Sequence, residues 1–368
     1  MNDQPISEPP ANLEELLSAP SPWLTGDGPS AGMVLSTRIR LARNLRGVPF
    51  THRAREEQLV GVLSGVANAA QRSESFSRSL LLRMSELSAV DRQVLVERHL
   101  VSHELSDGTR PRGLLLAADR RLSLMINEED HLRLQTLAPG FQMAEAWALA
   151  DEADDALAGS LDFAFSDEIG YLTSCPTNAG TGLRASVLIH LPALVLLNEI
   201  PRVLKGIEQV GLNWRGLYGE HSQVMGNLFQ ISNQTTLGRS ERDSIESVER
   251  VTRQIVEHEE RARERMMRDA RLQIEDKVWR AYGTLRHCRT IETSEVINLC
   301  SAVRLGIALG LPGLPALGVV DELMVVAQPA HLQRRAGETL QMEERNVVRA
   351  QLVRERLSAA ERGTGAES

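Results

Sequence analysis

Sixteen residues carry the densest chemistry in this chain: Tyr171 through Ser186, reading Y-L-T-S-C-P-T-N-A-G-T-G-L-R-A-S. They set Cys175 in a polar Pro/Asn/Gly turn and deliver Arg184 at the start of an apolar run. A thiol in a polar loop close to a cation is placed where its pKa falls and a thiolate becomes available. Arg38 and Arg40 lie two apart in Met33 to Leu41, so on a strand they project side by side, a geometry that grips a polyanion. A solvated strand face with chance arginines explains that pair equally well. In Asn127-Glu128-Glu129-Asp130-His131-Leu132-Arg133, three adjacent acids follow an apolar run. They read as a metal cluster or a catalytic carboxylate site, or else as an acid-rich helix N-terminus capped by Asn127. Arg215-Gly216-Leu217-Tyr218-Gly219-Glu220 adds a glycine-rich loop with one more arginine and one more acid.

If Arg38, Arg40, Arg133, Arg184 and Arg215 converge, they form a cage of fixed cations suited to a triphosphate. Glu129, Glu220 and Cys175 are then left for an acceptor that binds through planar N–H donors, which describes a guanidinium. Guanidinium is a poor nucleophile because its charge is delocalised. Two carboxylates can hold one of its nitrogens in line with the γ-phosphate and accept its proton. Gly180-Thr181-Gly182-Leu183-Arg184-Ala185 also satisfies G-x-G-x-x-A, but the run after it is strand-like, so a dinucleotide site is not expected. No G-x-x-x-x-G-K-[ST] occurs, so ATP use would not be of the P-loop kind.

The elements that must position these residues divide the chain in two. Met33 to Leu41, with Leu35, Ile39 and Leu41 on one face, Leu122 to Asn127 and Ala185 to Leu191 read as strands, and Gln58 to Ala70 as a helix. Ser240 to Tyr282 contains no Pro or Gly, carries apolar residues at helical spacing, and opens on Ser240 and Asp243 as a capping start. It predicts one long amphipathic helix, interrupted or not. Further helices are expected at Ser294 to Leu309, Ala316 to Ala327 and Glu343 to Leu357. The fold class is therefore α+β, an antiparallel sheet flanked by helices, followed by an all-helical C-terminal domain. The expected divisions are a flexible arm over 1–32, a catalytic domain over 33–260, a helical domain over 261–362 and a disordered tail over 363–368.

Composition narrows the class further. The chain has 368 residues, 42% hydrophobic and 24% charged, as in ordinary globular proteins. A net charge of −8 gives no electrostatic case for nucleic acid, and no apolar run is long enough for a membrane span. Three cysteines form no disulfide framework and the N-terminus lacks signal-peptide regions, so a cytoplasmic protein is expected.

Four ordered motifs resemble the phosphagen kinase (ATP:guanidino phosphotransferase) superfamily: residues 36–40, 127–133, 175–186 and 215–220 running on to Ile231-Ser232-Asn233. More narrowly the chain resembles the bacterial protein-arginine kinases. It has Gly182 in the cysteine turn, Ser232-Asn233-Gln234-Thr235-Thr236-Leu237-Gly238 after the second acid, and the long helical tail. As in that group, no small helical domain is expected ahead of the catalytic one, so a protein substrate is expected rather than a free guanidino compound.

The resemblance implies ATP contacts by Ser36, Thr37, Arg38, Ile39, Arg40, His99, Arg133, Arg184, Ala185, Ser186, Val187, Leu188, Arg215, Gly216, Leu217, Tyr218, Gly219 and Glu220. It implies guanidinium handling by Glu129, Glu220 and Cys175, with Mg2+ held mainly by the nucleotide phosphates and no protein metal ligand. Protein-arginine kinases also carry an R-D-x-x-R-A motif that binds phosphoarginine allosterically. The matching stretch here is Arg345-Asn346-Val347-Val348-Arg349-Ala350, with Asn where Asp is expected. The implied partners are proteins with exposed arginines, a zinc-binding activator, a Clp-type unfoldase-protease in a stress response, and a second copy of the chain as homodimer.

Overall fold

The computed structural model describes residues 13–217 and 224–364, with side chains to 362. Ten strands are described: β1 Val34–Arg43, β2 Leu80–Arg83, β3 Gly113–Leu116, β4 Leu122–Ile126, β5 Leu132–Pro139, β6 Phe165–Ser166, β7 Gly170–Tyr171, β8 Leu183–His190, β9 Leu212–Gly216 and β10 Leu228–Asn233. β6 and β7 form a small hairpin, and the other eight pair antiparallel in the order β2-β3-β4-β5-β1-β8-β10-β9. The helices are α1 Leu13–Ser18, α2 Glu56–Gln71, α3 Ala89–Glu97, α4 Met143–Ala158, α5 Pro192–Leu196, α6 Ile200–Gln209, α7 Glu241–Asp269, α8 Arg271–His287, α9 Thr293–Ala308, α10 Leu317–Val326, α11 Pro329–Ala336 and α12 Met342–Thr364. Among the described residues no helix is long and apolar enough to cross a membrane.

Strand periodicity gives the sheet two unlike faces. Ile39 and Leu41 of β1, Leu134 of β5, Ala185 and Val187 of β8 and Ile231 of β10 join one core with Ala146 and Ala150 of α4 and Val248 and Ile255 of α7. On the opposite face Leu137, Leu188 and Leu228 lie in a second core with Val303 of α9 and Leu323 and Met324 of α10, and Leu82, Leu114 and Met125 of the β2–β4 edge lie in a third with Val94 and Leu95 of α3. The C-terminal helices cover one part of that face and α3 another, with a cleft between them.

Leu35 departs from the period-two expectation. The β1–β8 register skips it between Val34 and Ser36, a bulge, and Leu35 packs with Leu137 and Leu188 while Val34 joins Ile39 and Leu41. The expected long helix is two helices. Ser240 caps α7 through the Asp243 N–H, with the reciprocal bond present, and the break falls at Ala270 (φ −146°, ψ 34°). Helix α7 runs unbroken through the boundary expected at 260.

The loose-arm reading fails for residues 13–32. Leu16, Trp23 and Leu24 are buried. Arg98 donates to the carbonyls of Leu16, Leu17 and Ala19. Arg304 donates to the carbonyls of Ala31 and Gly32, and its Nε lies 2.8 Å from Asp321 Oδ1. Both ends of that ion pair are buried. Breaking such a pair strands a charge, so Asp321→Ala is expected to cost about 3–5 kcal/mol of unfolding free energy, read by urea denaturation. Arg304→Met with Asp321→Leu should recover most of that loss, because no charge is then left unpaired.

Candidate active site

The uncovered part of the second face holds the arginines. Arg40 stands directly across from Arg184 on β8 and from Gln135 on β5, and Arg38 across from Ser186. Ala42 pairs with Arg133, and Gln230 of β10 pairs with Arg215 of β9. Because residues opposite one another in antiparallel strands share a face, five cations from four strands meet on one surface. Arg38, Arg40, Arg133 and Arg215 line a cleft of about 1240 Å3 whose other walls come from α3, His99 and the start of α11. The Glu97 carboxylate ties those walls together by accepting from the N–H groups of Ala330 and His331 at the start of α11.

Few anions balance these cations. Arg133 pairs with the buried Glu128 carboxylate. Burial raises Glu128, but Arg133, the Ser102 hydroxyl and the Glu129 N–H outweigh it and hold the carboxyl below its ordinary range. Arg184 donates to Ser232 Oγ at 3.1 Å, and Arg215 donates twice to Gln230 Oε1 at 2.9 and 3.2 Å. The Nε atoms of Arg38, Arg40 and Arg184 are buried and find no hydrogen-bond partner among the described residues. Burial, then Arg133 and Arg215, pull the Arg38 guanidinium down to about 9; burial and the other four arginines pull Arg40 down as well. His99 is pulled to about 3 by burial, Arg38, Arg215 and His103, so it stays neutral. Such a surface stores electrostatic repulsion that a polyanion would relieve.

The acid cluster is a hairpin turn between β4 and β5 and caps no helix. Asn127 takes a positive φ of 60°, and its N–H bonds to the His131 carbonyl. Each acid has its own task. Glu128 serves Arg133. Asp130 Oδ1 accepts from Asn44 Nδ2 and from the Ser174 N–H, both at 2.6 Å, and so anchors the cysteine loop. His131 is buried and neutral in role: Nδ1 accepts from the Leu45 N–H and Nε2 donates to the Pro49 carbonyl.

Glu129 alone keeps an accessible carboxylate. It is half-buried, and Asn178 of the cysteine turn approaches its Oε2 at 3.5 Å. Burial, then Asp130 and Glu128, raise its carboxyl pKa. Cys175, half-buried, has its Sγ 2.9 Å from Thr177 Oγ1. Gly182 closes this turn at φ +65°, where a Cβ would stand 2.6 Å from the Ala42 carbonyl oxygen, and β8 follows at once with no helix. The dinucleotide fingerprint is absent in structure too.

Several expected ATP contacts face elsewhere. Thr37, Ile39, Ala185 and Val187 lie on the helix-covered face, and Thr37 Oγ1 donates to the Gly140 carbonyl. Ser36, Ser186 and Leu188 lie on the arginine face, and Gly216 and Leu217 line its cleft. Tyr218, Gly219 and Glu220 lie outside the described residues, as do 1–12 and 365–368. In the stretch expected to hold phosphoarginine, Arg349 is buried, donating to the carbonyls of Ala327 and Ile291 and to Asn346 Oδ1. Ala350 is buried as well, and Arg345 is half-buried. Sequence reasoning passed over Gln230, which orients Arg215, and Trp23, whose ring meets His99 edge-on at 5.3 Å. An aromatic in a Pro/Ser-rich segment of a chain only 4% aromatic was the one available signal for the latter.

Comparison with known proteins accords with this geometry. Residues 62–262 match the ATP:guanido phosphotransferase C-terminal catalytic domain, and 271–367 match the protein-arginine kinase McsB C-terminal domain, the second match beginning at the break between α7 and α8. A protein-arginine kinase of Desulforamulus reducens is 47% identical over 95% of this chain and 99% of its own length. One from Symbiobacterium thermophilum is 48% identical over 94% and 99%. Among solved structures, a lombricine kinase aligns with a TM-score of 0.57 at 22% identity, covering 70% of this chain and 72% of its own. The duplicated taurocyamine kinase of Schistosoma mansoni aligns at 0.56 and 28%, covering 70% and 37%. An arginine-lined sheet face, a carboxylate beside a cysteine turn and relatedness along nearly the whole length agree: the chain belongs to the protein-arginine kinases of the ATP:guanidino phosphotransferase family.

Proposed function

We propose that this enzyme transfers the γ-phosphoryl group of Mg-ATP to the guanidinium of arginine side chains in proteins. The observation that carries the reading is the convergence of five arginines on one sheet face, four of them lining the cleft and three with Nε atoms unpartnered among the described residues, while Glu129 stands beside the cysteine turn. The arginines neutralise the triphosphate and the charge that spreads over the transferring group. Glu129, with Glu220 assigned from the resemblance, holds the acceptor nitrogen in line and takes its proton. Cys175 flanks the guanidinium and polarises it without forming a covalent intermediate. As the resemblance implies, Mg2+ would be held mainly by the nucleotide phosphates and water.

The test is incubation with Mg-ATP and either an unfolded protein or free arginine. Acid-labile phosphate on protein, lost in Glu220→Ala, is the expected result. Cys175→Ala should lower the rate by roughly 10²-fold. Turnover of free arginine with none on protein would instead favour a kinase of a free guanidino compound. Near-normal Cys175→Ala turnover would remove the thiol from the mechanism.

The resemblance also supports a cytoplasmic, homodimeric enzyme. Its activator would be a zinc-binding protein, and its products would pass to a Clp-type protease during stress. A phosphoarginine sensor in the C-terminal helices is proposed only in weakened form, resting on Arg345, because Arg349 is committed to backbone carbonyls.

A further inference from the structure

Behind Arg38 the cleft narrows into a recess of about 20 Å3 lined by Trp23, Arg38, His99, Leu188, Leu217 and Gln230. Four of these, Arg38, His99, Leu217 and Gln230, line the large cleft as well, so the recess is its inner end. Two groups in it are unexplained by the phosphate site. Trp23 is 3% exposed, and its buried Nε1–H has no hydrogen-bond partner among the described residues. Gln230 is 5% exposed; its Oε1 accepts from Nε and Nη2 of Arg215, which fixes the amide so that Nε2 is left over, buried and unpartnered among the described residues. Both orphans are donors. A buried donor without an acceptor costs about 1–3 kcal/mol, so two lining one recess point to an acceptor that arrives with a ligand.

The other lining residues are three leucines, Leu137, Leu188 and Leu217, and two hydroxyl-bearing serines, Ser36 and Ser186. Only Arg38 of the five arginines lines this end, and its leucines, aromatic rings and spare donors suit the edge of a flat heteroaromatic ring carrying lone pairs better than a phosphate. We infer that Trp23, from the N-terminal segment, is a nucleotide-binding residue whose indole N–H donates to a ring nitrogen of the adenine base, with Gln230 Nε2 beside it. The base edge enters the recess while the triphosphate runs out along Arg38, Arg40 and the other arginines. The η-turn Pro22–Leu24 holds the indole there, and its ring packs against His99 at an interplanar angle of 72°.

The inference rests on ATP being the donor, and the experiment separates the two ideas. Thermal shifts are measured for wild type and Trp23→Phe with Mg-ATP and with magnesium tripolyphosphate, which offers the phosphates without a base. Phenylalanine keeps the aromatic packing and deletes the N–H. The ligand-free variant should unfold at or slightly above the wild-type temperature. Its affinity for ATP should fall about three- to tenfold while that for tripolyphosphate is unchanged. Equal losses for both ligands, or none for ATP, would overturn the role of Trp23. A wild type unresponsive to either ligand would overturn the nucleotide reading itself. Ring analogues tested on the wild type cover a variant that fails to fold: at least one of 1-deaza-, 3-deaza- and 7-deaza-ATP must bind weaker by a similar factor. Uniform binding of all three would sink the base contact.

Discussion

Arg40→Met is expected to raise the unfolding temperature of the ligand-free protein and to abolish phosphoryl transfer. Arg40 is 7% exposed, sits across from Arg184, and has an Nε with no partner among the described residues. Like charges directly opposite in a sheet repel, and a buried guanidinium loses hydration that nothing here replaces. Methionine keeps the unbranched stem and removes the charge, so a gain of about 2–5 °C is expected by differential scanning fluorimetry at low salt. Added salt should narrow the gap by screening the wild-type repulsion.

The sign with pH follows from Arg38, whose folded-state pKa is drawn down to about 9, well below its value in the unfolded chain. Between those values the unfolded chain holds more protons than the folded one, so this group's destabilisation is full below 9 and fades as pH climbs toward 12. The same substitution removes a cation from the transferring phosphate, and turnover should drop by roughly 10³-fold or more. An Arg40→Met protein that melts lower yet still turns over ATP would mean the cage is structural.

Such strain is legible in the sequence only in part. The Arg38/Arg40 pair follows from period-two spacing inside one strand. That Arg133, Arg184 and Arg215 share its face depends on four strand registers, which no local pattern encodes; the motif resemblance supplied what periodicity could not. Leu35 shows the limit from the other side, since one extra residue in a bulge moves a side chain through the sheet and leaves no trace in composition. The N-terminal segment misled because Pro, Ser and Gly look alike in a loose arm and in a fitted strap. What makes residues 13–32 a strap is long-range: Arg98 and Arg304 reaching their carbonyls, and Gly318 of α10 coming so close that a Cβ there would lie 2.4 Å from the Thr25 carbonyl oxygen. The three acids were ambiguous for a related reason. A helix start and a tight hairpin both favour Asn followed by acids, and only the partner of each carboxylate tells them apart.

Those partners separate three neighbouring substitutions. Glu129→Gln is expected to lower kcat by roughly 10²- to 10⁴-fold while leaving the ATP-induced thermal shift intact, because its carboxylate faces the cysteine turn and pairs with no arginine of the cage. Glu128→Gln should instead weaken ATP binding, since it releases Arg133 from its buried partner. Asp130→Asn should loosen the loop that carries Cys175 by weakening the bond to the Ser174 N–H. The raised carboxyl of Glu129 adds a signature in pH. As the proton acceptor it works only ionised, so the wild-type rate falls as pH drops through that raised pKa, above where an ordinary glutamate would titrate. Glu129→Asp, with a shorter stem, should keep the acid limb and lose rate through misplacement. A Glu129→Gln enzyme with normal kcat, or one whose ATP affinity falls in step with its rate, would move the acceptor carboxylate elsewhere.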